Sequence, residues 1–241
     1  MTLTWVATVW FWDGLAEKFT EFNKGRWLHE IRPNRIKHKL AEGKTCFVLG
    51  GVADPDMIDQ LGSCGADGFW LEGEHGPVDF DNVANLTRAC DLWGVTSLAR
   101  VHFNEYGSIY RMLDRGVQGL VMPHVNNRAE AEAFVRAAKF APVGKRGMFT
   151  SRQGFNVPDY FEVANSETLL VVLIEDIAAL AQLDEILKVA HVDVFFVAPS
   201  ESGGFDGAHW QSRSSGCAGC LARCVANHCE SGLLCRYHNR S

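Results

Sequence analysis

Two carboxylates and an imidazole follow directly on an apolar run in the segment 70–77, WLEGEHGP. Histidine titrates near neutral pH, and a neighbouring carboxylate fixes its tautomer. His75 is therefore a candidate general base, tuned by Glu72 or Glu74. A loop histidine that makes only structural hydrogen bonds is an equally good interpretation of this segment.

Two further charged residues each end an apolar run. Arg100 would face either a partner carboxylate, Glu72 or Asp114, or an anionic ligand. Glu175 follows the wholly apolar run 169–174, where an unpaired carboxylate would be costly to bury. A metal ligand or a catalytic carboxylate is therefore the favoured interpretation of Glu175.

Other polar groups carry weaker signals. The sequence GKRG at 144–147 would bind an anion through backbone N–H groups and a cation, or would form a plain turn. Three histidines lack partners at metal-ligand spacing and are interpreted as structural: His102, His124 and His191.

Five of the eight cysteines crowd the last 41 residues. Their spacing resembles a zinc site, because tetrahedral Zn²⁺ binds thiolates and imidazoles at short spacing. The residues of this zinc hypothesis are Cys217, Cys220, Cys224, His228 and Cys229.

Short apolar runs alternate with longer amphipathic stretches, which is typical of βα units and a parallel sheet. The predicted strands are 46–49, 68–71, 97–100, 119–122, 169–174 and 192–197, with a seventh near 147–149. The predicted helices are 55–63, 79–93, 105–114, 128–140 and 177–189.

The polar residues favour a (β/α)₈ barrel over an open doubly wound sheet. Five of them end different predicted strands, as barrel active sites require: Glu72, Arg100, Pro123, Glu175 and Ser200. The barrel would occupy 31–200, after an extension of uncertain status at 1–30 and before an aberrant tail at 201–241. An eighth strand and its helix are missing from the pattern, so the barrel is predicted to be incomplete at its C-terminal end.

Composition restricts the function classes. The 241 residues carry a formal net charge of −6, which argues against nucleic acid binding. No apolar run reaches the roughly 18 residues that a membrane span needs. The first residues lack the basic region of a signal peptide, so we expect a cytoplasmic protein.

Between about residue 34 and residue 200 the sequence resembles the HpcH/HpaI class II aldolases. The ordered motifs that carry this resemblance are LEGEHGP at 71–77, ARV at 99–101, MLDRG at 112–116, PVGKRG at 142–147, IE at 174–175 and FFVAPS at 195–200.

The resemblance implies a (β/α)₈ barrel, usually a homo-hexamer, that cleaves 4-hydroxy-2-oxo acids into pyruvate and an aldehyde. It also implies a divalent metal ion, Mg²⁺, Mn²⁺ or Co²⁺, that chelates the carboxylate and keto oxygens and stabilises the pyruvate enolate. Glu175 would be one metal ligand. Glu201 stands where the family continues with its second metal carboxylate, an Asp.

The same resemblance assigns roles to six other residues. Arg100 would steady the keto oxygen and the enolate charge, and His75 would help to move the proton. Glu72, where the family commonly has Asp, would orient His75, and Asp114 would be a supporting carboxylate. The substrate would also meet Pro199 and Ser200.

Two departures from the family pattern stand out. Leu173 replaces a Gln two residues before the metal carboxylate, which removes a polar group from the floor of the pocket. The tail after Ser200 is rich in Gly and Ser and cannot build the missing strand and helix.

Permitted codons for the tail, read in an alternative frame, give a family-like continuation beginning Asp-Leu-Ala. We therefore hypothesise a one-base insertion in the codon of Glu201, which explains the clustered cysteines without zinc. A resequenced gene with no extra base relative to its close relatives would refute this hypothesis.

Three functional classes remain open from the sequence. The first is a metal-dependent aldolase that takes a small 2-oxo acid. The second is a related carbon–carbon lyase of the citryl-thioester type, which would need a site for a bulky thioester. The third is a non-catalytic pseudo-enzyme or a zinc-binding module formed by the tail.

Overall fold

The computed structural model of the protein describes residues 30–198. Several sequence-based expectations lie outside this range. They are the extension before Glu30, the binding residues Pro199 and Ser200, the metal ligand Glu201, and the tail with its cysteine cluster.

Within this range, six parallel strands form one sheet in which successive strands are hydrogen-bonded neighbours, in the order β1-β2-β3-β4-β5-β6. They are β1 (Val48–Val52), β2 (Gly68–Glu72), β3 (Thr96–Arg100), β4 (Gly119–Met122), β5 (Leu169–Ile174) and β6 (Val194–Val197). The helices are α1 (Arg35–Ala41), α2 (Pro55–Leu61), α3 (Val83–Leu92), α4 (Tyr106–Asp114), α5 (Arg128–Ala138), α6 (Tyr160–Glu167), α7 (Ile177–Leu180) and α8 (Leu183–Ile186), with a 3₁₀ turn at Arg152–Gly154.

The sheet is strongly curved. Trp70 of β2 and Phe196 of β6 approach to 6.2 Å between ring centroids, although three strands lie between theirs in the sheet. The described residues therefore form a parallel half-barrel with a concave interior. Within this part of the chain, none of the helices combines the length and hydropathy that crossing a bilayer requires.

The two faces of the sheet bury different sets of side chains, because successive residues of a strand point to opposite faces. The concave face packs Leu98, Val121, Leu169, Val171 and Leu173 into one cluster. The convex face packs against the helices through a larger cluster that includes Phe69, Leu71, Leu120, Met122, Leu170, Val172 and Ile174.

Helix α1, which the sequence patterns did not predict, lies across the amino ends of the strands. Asn34 caps it by accepting the N–H of Lys37, and its side-chain amide donates to the carbonyls of Gln118 and Glu167. Ile36 enters the concave cluster. A Cβ at Gly68 would lie 2.6 Å from the backbone carbonyl oxygen of Thr96 and 2.7 Å from the end of the Ile36 side chain, so a glycine is needed there.

The strand predicted near 147–149 is absent, and β4 pairs directly with β5. Met148 and Phe149 are 71% and 64% exposed, so this short apolar run buries neither face. The predicted helix 177–189 is divided into α7 and α8. The first predicted strand, at 46–49, lies slightly later, as β1.

A buried lysine joins α5 to the segment before β5. Lys139 donates from Nζ to the carbonyls of Asn165 and Thr168, at 2.6 Å each. Burial and then the nearby ammonium of Lys37 lower the pKa of Lys139 to about 7. The neutral amine is therefore favoured in the folded protein just above neutral pH.

We expect Lys139 to make stability depend on pH. A lysine of the unfolded chain titrates near pH 10.4, so between about pH 7 and 10 the unfolded state binds more protons and the contribution of Lys139 rises with pH. The free energy of unfolding of the wild type, minus that of Lys139→Met, should increase from pH 7 to pH 9.5 in urea titrations. A constant difference would contradict the lowered pKa.

Candidate functional site

The charged residues at the carboxyl ends of the strands continue the concave face. Since side chains alternate along a strand, Glu72 lies on the same face as Trp70, Arg100 on that of Leu98, and Glu175 on that of Leu173. Glu72 and Arg100 are also direct register partners across β2 and β3. The predicted positions of Glu72, Arg100, Pro123 and Glu175 at strand ends are therefore confirmed.

Arg100 is held between two carboxylates. Its Nε lies 2.9 Å from both carboxylate oxygens of Glu72. Its Nη1 lies 2.8 Å from Oε2 of Glu74, an ion pair whose angles fall outside hydrogen-bond geometry. The Arg100 and Glu74 side chains are only 13% and 12% exposed. These contacts fix the plane of the guanidinium group at the mouth of the half-barrel.

Glu72 organises the loop that follows β2. It accepts the indole N–H of Trp70 at 2.9 Å and the backbone N–H groups of Glu74 and His75 at 2.8 and 3.1 Å. Burial opposes the charge of Glu72, but the hydrogen bonds from Arg100, Trp70 and the two backbone groups together lower its pKa. Glu72 is therefore an ionised carboxylate at neutral pH.

The His75 ring lies at the rim of the site and is 62% exposed. Its Nε2 is 3.8 Å from Oε2 of Glu74. Glu72 binds the backbone N–H of His75, so of the two partners considered from the sequence, Glu74 is the one near the ring. The exposed ring has room to meet a ligand in the mouth of the barrel.

Glu175 is 3% exposed, directly after β5. Its Oε1 accepts the backbone N–H of His124 at 2.7 Å. Burial raises the pKa of Glu175, and the bond from His124 only partly offsets this effect. Leu173, two residues earlier, lies buried on the concave face, so the floor below Glu175 is apolar.

His124, interpreted as structural from the sequence, lies inside this site. Its Nδ1 is 3.1 Å from Oδ2 of Asp176, and its Nε2 is 3.0 Å from Oε1 of Glu74. Burial opposes the imidazolium, but the hydrogen bond with Asp176 and the charges of Glu175 and Glu74 raise the pKa of His124. One signal was available: His124 follows Pro123, which the sequence already placed at the end of a strand.

Asp114 does not join the site. Helix α4 starts beside the carboxyl end of β3 and runs antiparallel to the strands. Its last residue, Asp114, therefore lies toward the amino ends of the strands. There it accepts a hydrogen bond from Arg146 at 2.7 Å. Arg146 also packs over the ring of Phe140, so both ends of this pair make structural contacts. The turn 144–147 thus lies along α4, where the Lys145 carbonyl accepts from the Tyr106 hydroxyl and Arg146 binds Asp114.

An open cleft of about 670 Å³ adjoins the site at the loops after β3 and β4. His102 and His124 both line it, so His102 is also near the site, whereas His191 precedes β6 at the other edge of the sheet. The full lining is His102, Phe103, Asn104, Pro123, His124, Asn127, Ala129, Glu130 and Ala133.

Among the described residues, four carboxylates lie around Arg100 and His124 in this site. Glu72, Glu74, Glu175 and Asp176 outnumber Arg100 and a charged His124. Within residues 30–198, no group of three or more His, Cys, Asp or Glu side chains is arranged to hold a metal ion. Glu175 supplies one buried oxygen donor of the type that a hard cation binds.

The family model of HpcH/HpaI aldolase/citrate lyase matches residues 45–203, which include every part of this site described above. The chain belongs to the HpcH/HpaI aldolase/citrate lyase family. The expected resemblance is confirmed.

Curated relatives of this HpcH/HpaI family member have aldolase names. A hydroxypyruvate/pyruvate aldolase of Sagittula stellata is 33% identical over 177 residues, which cover 71% of this chain and 70% of the relative. A 5-keto-4-deoxy-D-glucarate aldolase of Salmonella paratyphi A is 32% identical over 177 residues, covering 71% of this chain and 68% of the relative. The aldolase names of these relatives support the conclusion that this chain is a lyase.

Solved structures support the fold. An HpcH/HpaI aldolase from Desulfitobacterium hafniense has a TM-score of 0.75 at 26% identity, covering 83% of this chain and 79% of that one. A citrate synthase has a TM-score of 0.74 with the same coverages. At 24% identity, the second likeness shows the fold alone.

We expect Glu72→Gln to weaken the loop after β2. The amide keeps one acceptor oxygen but loses the ion pair with Arg100, which should lower the free energy of unfolding by about 1–3 kcal/mol at pH 7. Because the pKa of Glu72 is lowered in the folded protein, its contribution is present above the usual carboxyl pKa and is lost as pH falls.

Urea titrations at pH 7 and pH 4 measure this effect for wild type and variant. The difference in the free energy of unfolding between wild type and Glu72→Gln should be smaller at pH 4 than at pH 7. Equal stabilities at pH 7 would show that the contacts of Glu72 contribute nothing to folding.

Proposed function

We propose that this chain is of the metal-dependent aldolase type that cleaves 4-hydroxy-2-oxo acids into pyruvate and an aldehyde. The observation that carries the proposal is Arg100, held by Glu72 and Glu74 at the mouth of the half-barrel, with buried Glu175 on the same face. A fixed guanidinium suits the keto oxygen of a 2-oxo acid. The aldolase names of relatives above 30% identity favour this class over a citrate-forming reaction.

The charge of the site supports a cation requirement. An anionic substrate entering among four carboxylates would be repelled unless positive charge beyond that of Arg100 and His124 were present. The raised pKa of Glu175 likewise reflects a buried carboxylate that is not fully compensated. A divalent cation would supply the missing positive charge.

Glu175 fits the role of a ligand to such a cation, since it presents a buried carboxylate at the end of a strand. We propose Glu201 as the second carboxylate. When bound, Mg²⁺, Mn²⁺ or Co²⁺ would act as a Lewis acid on the oxygens of the 2-oxo acid. Pro199 and Ser200, next to Glu201, would complete the substrate contacts.

The side chains then divide the reaction between them. His75 takes the proton of the 4-hydroxyl group as the C3–C4 bond breaks, which leaves an aldehyde and the enolate of pyruvate. Arg100 donates hydrogen bonds toward the enolate oxygen as its charge grows. The proton held by His75 then passes to C3 of the enolate, which gives pyruvate and restores the neutral imidazole. Glu74 lies near both His75 and Arg100 and so holds these two groups on the same side of the half-barrel opening.

The test is pyruvate formation from a 4-hydroxy-2-oxo acid, with added divalent metal and after chelation. It is run on this chain and on a version whose tail follows the alternative frame. We expect metal-dependent activity in the restored version and weak or no activity in this chain, because Glu201 is one methylene longer than Asp. Absence of activity in both would favour a different lyase.

A charge-conserving pair of variants in the restored version sharpens the test. Arg100→Lys cannot keep both carboxylate contacts and the planar donor pair, so kcat should fall about a hundredfold. Arg111→Lys is the matched control, because the Arg111 guanidinium packs on the ring of Phe80 rather than on Glu72 or Glu74, and this variant should keep its kcat. Equal values of kcat in the two variants would remove Arg100 from the mechanism.

A further inference from the structure

Four charged side chains form a continuous chain of contacts across the mouth of the half-barrel. Asp176 contacts Nδ1 of His124 at 3.1 Å, Nε2 of His124 contacts Glu74 at 3.0 Å, and Glu74 contacts Arg100 at 2.8 Å. These residues follow or end β5, β4, β2 and β3. The chain therefore connects the exits of four neighbouring strands.

The His124 end of this chain is anchored on both sides. Its backbone N–H binds Glu175 at 2.7 Å. Asp176, which holds the ring, is itself held by the Asn126 side-chain amide at 2.9 Å. The ring is thus fixed before it reaches Glu74, so it can restrain a neighbour.

Glu74 depends on this restraint more than Glu72 does. Glu72 has contacts with Arg100, Trp70 and two backbone N–H groups. The close side-chain contacts of Glu74 within the described residues are the ion pairs with Arg100 and His124, with His75 farther away at 3.8 Å. Removal of the His124 imidazole would therefore free the Glu74 carboxylate to turn away from Arg100.

We propose that His124 is a positioning residue for Arg100 that acts through Glu74. This inference rests on the proposed function for the role of Arg100, but the chain of contacts is a property of the fold. Because Arg100 meets charge that grows toward the transition state, loss of its alignment should lower kcat more than it raises KM.

Two substitutions separate the contact with Glu74 from the backbone requirement at His124. His124 has a φ of +52°, a conformation that Asn tolerates better than Gln. The amide of Gln reaches the position of Nε2 and can donate to Glu74, whereas that of Asn reaches only the position of Nδ1, beside Asp176. The backbone therefore favours His124→Asn, and the contact with Glu74 favours His124→Gln.

We expect His124→Gln to keep kcat within about threefold of wild type, and His124→Asn to lose about ten- to a hundredfold, in the tail-restored version. His191→Asn is the matched control. His191 also has a positive φ, +67°, but lies at the other edge of the sheet, so this variant should leave kcat unchanged. Equal kcat for the two His124 variants, or loss in both, would overturn the proposal.

Crystal structures of the two His124 variants give a second readout that does not require activity. We expect Glu74 to stay on Arg100 in His124→Gln and to leave it in His124→Asn. An unchanged contact in His124→Asn would overturn the proposal even if activity fell. If the wild-type site forms no pyruvate, the proposed function fails, and this structural comparison still decides whether His124 positions Arg100.

Discussion

The pairing of Glu72 with Arg100 across β2 and β3 is the constraint on which the rest of the site depends. The two residues are register partners, so the same backbone pairing that builds the sheet brings carboxylate and guanidinium together. A slip of either strand by one residue would turn its own side chain, Glu72 or Arg100, to the convex face among the helices and break the pair. The register of the sheet therefore places the charge of the site.

Around this pair the site accumulates negative charge. Glu72 and Glu74 contact Arg100, whereas Glu175 and Asp176 lie beside His124, and burial raises the pKa of Glu175. This excess of negative charge is what supports our proposal that a cation binds together with the anionic substrate. His124 reduces the repulsion by placing its ring between Glu74 and Asp176.

Much of the architecture was predictable from local patterns. The apolar runs that became β2, β3, β4 and β5 are short, bounded by turns and buried on both faces, so their period and length identify them. The strand predicted at Met148 and Phe149 was wrong, because a short apolar run does not indicate whether a neighbouring strand is available for pairing. Helix α1 was missed since only Ile36 of its seven residues is buried.

The sequence by itself determined the alternating parallel strands and the charged residues at their ends, Glu72, Arg100 and Glu175. Those signals are local, since each depends on a few neighbouring residues. Only the tertiary structure decided which residues meet. It brought Glu74, His124 and Asp176 into one chain of contacts at the carboxyl ends of the strands. It left Asp114 paired with Arg146 toward the amino ends. The physical reason is that ion pairs between loops depend on the curvature and register of the whole sheet, which no short segment encodes.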